Sequence, residues 1–388
     1  MNKFIQRCFI ILLFAASLHS NAQTWVDSLD KYARTKYLPA ASYHWLWTHA
    51  ALLNTMVKQY DLAPAAQKQQ YFDYVKKAMD KNLGVANGGT PTDVASALGL
   101  AFLYKISKEE KYKAKAEKVY NDYLKIRRTN EGGVSHLKLF TELWDDTIFM
   151  IGEFLLSMYQ ATGDEKYLNE FAKQFRLHRE KLRDVESGLW VHGWDSNNKI
   201  HCTFCSQMNW PDKQTRRSAE KWGRGNGWIV VTLSDALEVI PKSNPLWNEM
   251  AGYLKEMIVN LPELQDTATG HWYQLPLRNT DADNWIESSS TAMFAYGIQN
   301  ALRLGLVNET KYKKSVESAY KGLRAHSITA AGKKFITTKN VCIGTCIGNK
   351  HYYFKRNTKK GSPYGIGMFI QFGMCYELEN GMRKAVKN

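Results

Sequence analysis

Apolar residues recur at helical spacing along almost the whole chain, and the segments that carry them come in pairs. Ile151, Phe154, Leu155 and Met158 show the pattern, since steps of three and four residues put all four on one helix face. The same reading predicts helices over 25–36, 42–60, 65–82, 92–106, 109–127, 142–162, 164–183, 224–240, 245–260, 286–305, 309–326 and 363–381. Short polar turns join 92–106 to 109–127, 142–162 to 164–183 and 286–305 to 309–326. Longer loops rich in Gly, Trp and His join one pair to the next. Strand-like alternation is confined to loops, as in His271-Trp272-Tyr273 and Phe335-Ile336-Thr337. Twelve helices in six hairpins predict an all-α (α/α)6 barrel, with inner helices around a central depression and the long loops gathered at one mouth. A TPR-like solenoid also pairs helices, but it needs a fixed repeat of about 34 residues that these uneven loops do not supply. No low-complexity linker divides 23–388, which predicts one barrel domain.

Residues 1–22 read as a secretory signal peptide. Lys3 and Arg7 are basic, Phe9 to Leu18 is apolar without an acid, and Ser20-Asn21-Ala22 ends on a small residue. The apolar run is too short to span a bilayer, so the expectation is cleavage after Ala22, export to the periplasm and no membrane anchor. The formal charge of +15 becomes +13 once Lys3 and Arg7 leave with the signal. A basic surface suits nucleic acid, anionic lipid or an acidic substrate. Export, and the lack of a dense Lys/Arg run interleaved with aromatics, argue against nucleic acid. The 12 Trp and 21 Tyr lean toward carbohydrate, although a large helical barrel also buries many rings. Five cysteines remain in the mature chain (Cys202, Cys205, Cys342, Cys346 and Cys375), and an odd count excludes a fully paired set.

The segment Trp222-Gly223-Arg224-Gly225-Asn226-Gly227-Trp228 is poor core material. Its glycines let the backbone approach something closely, its indoles offer flat apolar faces, and its guanidinium suits a carboxylate. That is chemistry for holding an acidic sugar. Further polar groups stand where inner helices begin, in Thr92-Asp93-Val94-Ala95, Glu142 to Met150, Glu287 to Phe294 and Gly361 to Phe369.

Leu143 to Met150, Gly188 to Asp195, Trp222 to Trp228, Glu287 to Phe294 and Val341 to Thr345 follow one another in this order. Together they resemble glycoside hydrolase family 105, the unsaturated rhamnogalacturonyl hydrolases, close to the unsaturated glucuronyl hydrolases of family 88. The resemblance spans nearly the whole mature chain, and it implies the same (α/α)6 barrel. It also implies hydrolysis of lyase products that end in a 4,5-unsaturated uronic acid. The enzyme protonates C4 of the vinyl ether, water adds at C5, and the hemiketal opens to release the next sugar. That needs one positioned acid rather than two carboxylates flanking the bond.

By the resemblance, Asp146 is the proton donor, Asp93 assists it, and His192 binds the uronate or positions water. Arg224 pairs with the substrate carboxylate, while Trp228, Trp222 and Tyr43 supply aromatic surface. No cofactor and no metal are implied. Asp145 is read instead as a first-turn residue that complements the helix dipole, and Glu287 as inner-helix polar packing. Converging carboxylates raise the pKa of one, whereas a helix N-terminus lowers it. The partner is an acidic oligosaccharide, of rhamnogalacturonan type or from another lyase (ulvan, arabinogalactan or glycosaminoglycan), and the protein a monomer or weak homo-oligomer. A non-catalytic sugar-binding toroid is the rival, and it would have no use for a proton donor. The chain departs from the family's Gly-Thr-Gly-like turn at Gly344-Thr345-Cys346. Cys342 and Cys346, with Cys202 and Cys205, are open to disulfides, a thiolate metal site or free thiols.

Overall fold

The computed structural model describes residues 24–197, 208, 210–332 and 335–383. The expected signal peptide, Cys202 and Cys205 lie outside the described residues. In chain order the main helices are α1 (Trp25–Tyr32), α2 (Trp47–Leu62), α3 (Ala65–Asn82), α4 (Leu98–Ser107), α5 (Glu110–Tyr123), α6 (Asp146–Thr162), α7 (Glu165–Leu182), α8 (Gly223–Val239), α9 (Pro245–Ile258), α10 (Ser288–Arg303), α11 (Thr310–Gly322) and α12 (Pro363–Glu379). The turns Pro91–Val94 and Ala95–Ala97 lead directly into α4.

The six inner helices α2, α4, α6, α8, α10 and α12 each pack on the next, and α12 returns to α2 to close the ring. Burial on every side explains their composition: 146–156 of α6, 223–237 of α8 and 288–301 of α10 are buried without interruption. A helix buried all round needs apolar or small residues on every face. The outer helices are amphipathic. In α7 the buried residues Tyr167, Leu168, Phe171, Ala172, Phe175, His178 and Leu182 form one stripe, and the charges face out. Local chemistry sets the boundaries: Gly163 ends α6 with φ 71°, and the Asp164 carboxylate accepts the Lys166 N–H at 3.0 Å to open α7.

Five hairpins follow the sequence, but the sixth pair does not. The outer partner of α12 is α1, from the other end of the chain. Thr24 Oγ1 donates to Glu377 Oε2 at 3.1 Å, and Arg383 pairs with Asp27 at 2.7 Å. Toward the same end of the barrel, Lys58 bridges Asp235 at 3.0 Å and Glu238 at 3.1 Å, and Tyr296 donates to Asp235 at 2.7 Å.

The helix expected to begin at 142 begins at Asp146. Residues Glu142–Trp144 form strand β1, paired antiparallel with β2 (Gly193–Asp195) in the register Glu142↔Asp195, Leu143↔Trp194, Trp144↔Gly193. The alternation at Phe335-Ile336-Thr337 lies in a second ribbon, β3 (Ile328–Ala330) with β4 (Ile336–Thr338). At His271-Trp272-Tyr273 only Tyr273 makes a bridge, to Ile286. Among the described residues no helix is long and apolar enough to cross a membrane.

Candidate active site

The β1–β2 ribbon delivers two distant segments to the start of α6. The Asp145 N–H donates to the His192 carbonyl at 3.0 Å, which sets His192 beside the first turn of the helix. A buried chain of polar side chains results. His192 Nε2 lies 3.0 Å from Asp146 Oδ2, and His192 Nδ1 lies 2.7 Å from the Tyr353 hydroxyl. The Asp146 carboxylate is an acceptor only, so Nε2 carries the proton and Nδ1 accepts from Tyr353. Trp144 meets the imidazole edge-on at 5.2 Å between centroids, and Trp222 lies 4.7 Å away. Of the three groups, only Asp146 keeps some exposure: 12% of its side chain, against none for His192 or Asp145. The chain therefore ends on Asp146, at the mouth.

Electrostatics separate the two adjacent acids. Burial pushes the Asp146 carboxyl up, but the His192 hydrogen bond, with the charge of Arg224, outweighs it and holds the group below its ordinary value. Burial, and then the neighbouring Asp146 charge, push Asp145 well above the carboxylate range. Both Asp145 oxygens are buried without a hydrogen-bond partner, a setting in which only the neutral form is tolerable. Burial also drives His136 down to about 4. That ring lies flat on Trp144 (4.6 Å, 4°), with Nδ1 3.0 Å from Thr147 Oγ1. Asp145, Asp146 and His192 each offer a ligand atom within 4.8 Å of the others, the geometry a metal ion would need. Both imidazole nitrogens are already engaged, however, so a cation would have to displace one of those bonds.

The structure brings Asp146 and His192 together and places Trp222 behind them, its Nε1 donating to Gln274 Oε1 at 3.1 Å. The other expected residues are held by partners within the protein. Arg224 is inside the fold, with no exposure. Its Nη1 donates to the Cys342 carbonyl at 2.8 Å and Nη2 to the Ile343 carbonyl at 2.9 Å, with Glu287 at 3.8 Å and the Trp222 ring at 4.3 Å. Its guanidinium holds the 341–345 loop. Trp228 is a core residue packed on Phe149 at 4.3 Å and edge-on to Trp47. Tyr43 is buried, with its hydroxyl 2.8 Å from Ser96 Oγ. The Asp93 carboxylate accepts from Thr90 Oγ1 at 2.7 Å, and the Asp93 N–H donates back to that oxygen, which caps the Pro91–Val94 turn. Glu287 caps α10 through the Ser290 N–H at 2.6 Å and accepts the Cys342 N–H at 2.9 Å, in keeping with a packing role.

The motif's glycines make room for protein. A Cβ on Gly225 would fall 2.1 Å from Asp145 Oδ2, and one on Gly227 would fall 2.6 Å from Met293 Sδ. Tyr353, Asp145 and Trp47 escape the sequence reading. Trp47 is partly exposed, 5.0 Å from the Tyr364 ring, beside Gly344. A tryptophan opening an inner helix next to the glycine turn was the available signal for it. Cys342 and Cys346 are free thiols rather than a pair. Cys342 is buried, accepting from Gln274 Nε2 at 3.1 Å.

Comparison with known proteins matches the model of Glycosyl Hydrolase Family 88 over residues 18–378. The unsaturated rhamnogalacturonyl hydrolase YesR of Bacillus subtilis (strain 168) is 27% identical over 278 residues, 69% of this chain and 73% of that protein. A family 105 glycoside hydrolase of C. acetobutylicum ATCC 824 superposes with a TM-score of 0.79 at 24% identity, covering 92% of this chain and 99% of the other. The unsaturated glucuronyl hydrolase of Bacillus sp. GL1 gives 0.66 at 14% identity, covering 93% and 97%. Both structures share the helical barrel. With a family model matched over nearly its full length, and a buried acid–histidine chain opening at the barrel mouth, this protein belongs to glycosyl hydrolase family 88.

Proposed function

We propose that this protein releases the terminal 4,5-unsaturated uronic acid from oligosaccharides left by polysaccharide lyases, with rhamnogalacturonan-type products as its substrates. The observation that carries the reading is the Tyr353–His192–Asp146 chain, which aims one carboxyl out of a dry wall of tryptophan at the mouth. Asp146 supplies the proton to C4, water adds at C5, and the hemiketal opens with loss of the next sugar. One aimed acid suffices for this route, whereas ordinary glycoside hydrolysis needs a second carboxyl about 5 Å or more away across the bond.

The surroundings suit an anion. The N-terminal ends of α2, α6, α8, α10 and α12 meet at the mouth, and each presents the positive end of its dipole there. A cleft of about 400 Å³ beside the site is lined by Thr90, Pro91, Lys125, Arg127, Leu137 and Lys138. Leu137 and Lys138 directly follow His136, so the cleft lies where the rest of an acidic oligosaccharide would run. Trp47 is the ring placed to meet a sugar face. The leader-like pattern of 1–22 supports export to the periplasm, where lyase products would be met.

The test is loss of the ultraviolet absorbance of the conjugated double bond on a panel of unsaturated disaccharides from rhamnogalacturonan, ulvan and glycosaminoglycan lyases. Turnover of the rhamnogalacturonan product supports the reading, and persistence of the signal on every substrate sinks it. Asp146→Asn should lower kcat by about 10²–10⁴-fold. Full activity in that variant would remove Asp146 from the role of donor.

A further inference from the structure

One buried acid takes no part in that scheme. Asp145 has no exposure and no partner at ordinary hydrogen-bond distance, and the group its carboxyl faces is the carboxyl of Asp146. It immediately precedes α6, and its carboxyl rests against the backbone of Gly225, where no side chain could fit. Its Oδ1 is 3.9 Å from His192 Nε2. The titratable and charged groups around it are Asp146 from α6, His192 from the approach to β2, Arg224 from α8 and Tyr353 from the turn Lys350–Phe354. The single cation among them, Arg224, already serves Glu287 and two carbonyls. Two ionised carboxylates here would leave a buried charge with neither solvent nor a donor, which a folded protein avoids by keeping a proton.

We propose that Asp145 and Asp146 work as one acidic pair holding a single proton between them, with Asp145 its resting holder and Asp146 the group that passes it to substrate. The inference deepens the reaction proposed above and rests on it. His192 aims Asp146 and keeps it ionised at rest, which alone would make it a poor acid at neutral pH. Asp145 is the positioning residue that supplies the missing proton through Asp146. In turnover the proton moves from Asp145 to Asp146 and then to C4. The water that attacks C5 gives up one proton, which returns to the pair. One proton leaves, one comes back, and no electrons change hands.

Asp145→Asn keeps the shape and the neutral form but has no acid proton to give. On a disaccharide that the wild type turns over, kcat at neutral pH should fall about 10-fold or more, with KM nearly unchanged. The alkaline limb of kcat/KM should move about one pH unit or more toward acid. An unchanged pH profile overturns the pair. A second readout needs no substrate. Stability from a buried neutral acid is present at low pH and lost as pH rises through the folded-state value. The Tm of Asp145→Asn relative to wild type should therefore climb as pH rises above the ordinary carboxylate range; a flat difference overturns the pair. If that variant does not fold, Asp146→Asn serves. With the neighbouring charge gone, Asp145 ionises more easily, so the loss of Tm with rising pH should be smaller and level off at lower pH; a loss unchanged in size and end point overturns the pair. Chelator-sensitive activity restored by a divalent cation would make the acids a metal site and overturn it as well. An inactive wild type that keeps the Tm signature rejects the reaction and supports the pair.

Discussion

Arg224 is chemically suited to grip a carboxylate, yet its two terminal nitrogens are spent on the carbonyls of Cys342 and Ile343, and its face lies on Trp222. A lysine cannot span two carbonyls and stack at once. Arg224→Lys should therefore cost about 2 kcal/mol or more, seen as a lower Tm, with any change in KM following from the loosened 341–345 loop. An unchanged Tm with a KM raised severalfold would restore the residue as a substrate clamp. At this scale the sequence was partly legible. Asp146 and His192 were picked out by the resemblance of their motifs to the family. Asp145 was read as a dipole partner because the family resembled often has an apolar residue before its acid, and only the fold shows it sealed against Gly225. Tyr353 lies 161 residues from His192, and no local pattern joins them.

The elements were the most legible level. Outer helices carry a clean apolar stripe, and their bounds lie within a few residues of those expected. The start of α6 was not legible, because 142–144 are strand only by virtue of pairing with 193–195, and a helical pattern cannot announce a partner fifty residues away. At the start of α8, Gly225 lets that helix approach α6. Gly225→Ala gains about 1 kcal/mol of helix propensity, but a methyl 2.1 Å from a sealed carboxyl must push Asp145 or the helix aside, and overpacking typically costs about 1–3 kcal/mol. The expected outcome is a lower Tm and an activity loss of about 10-fold or more, since displaced acids lose their aim. A thermal melt paired with kcat on one substrate checks it. Wild-type values for both would mean that Asp145 moves freely.

For the molecule as a whole, the inner ring closes when α12 meets α2, and its sixth outer helix, α1, comes from far away in the sequence. Stability has an acid limit written into the core. Burial pushes His178 and His271 each down to about 4, while the unfolded chain titrates near 6.5. Between those values the unfolded state binds protons that the folded state refuses, so stability is lost as pH falls through that window. Each histidine contributes roughly 3 kcal/mol at the limit. Calorimetry should show Tm dropping steadily from about pH 6.5 to about pH 4, with a shallower slope in His178→Gln. A Tm flat across that range would contradict the buried, neutral state of both rings.

The sequence by itself determined the helical class, the paired helices and the approximate bounds of nearly every element, because periodicity and capping are local. It also placed an acid and a histidine in motifs that would come to share a site. Tertiary structure decided which side chains face solvent. Arg224, Trp228 and Tyr43 have the chemistry of a sugar site but are consumed in packing, while Trp47, Tyr353 and Asp145 take up positions around the acid. The physical reason is burial. The same carboxyl is an ordinary surface charge in water and a retained proton in a dry pocket, and only the closed ring of inner helices fixes which of the two adjacent aspartates meets each fate.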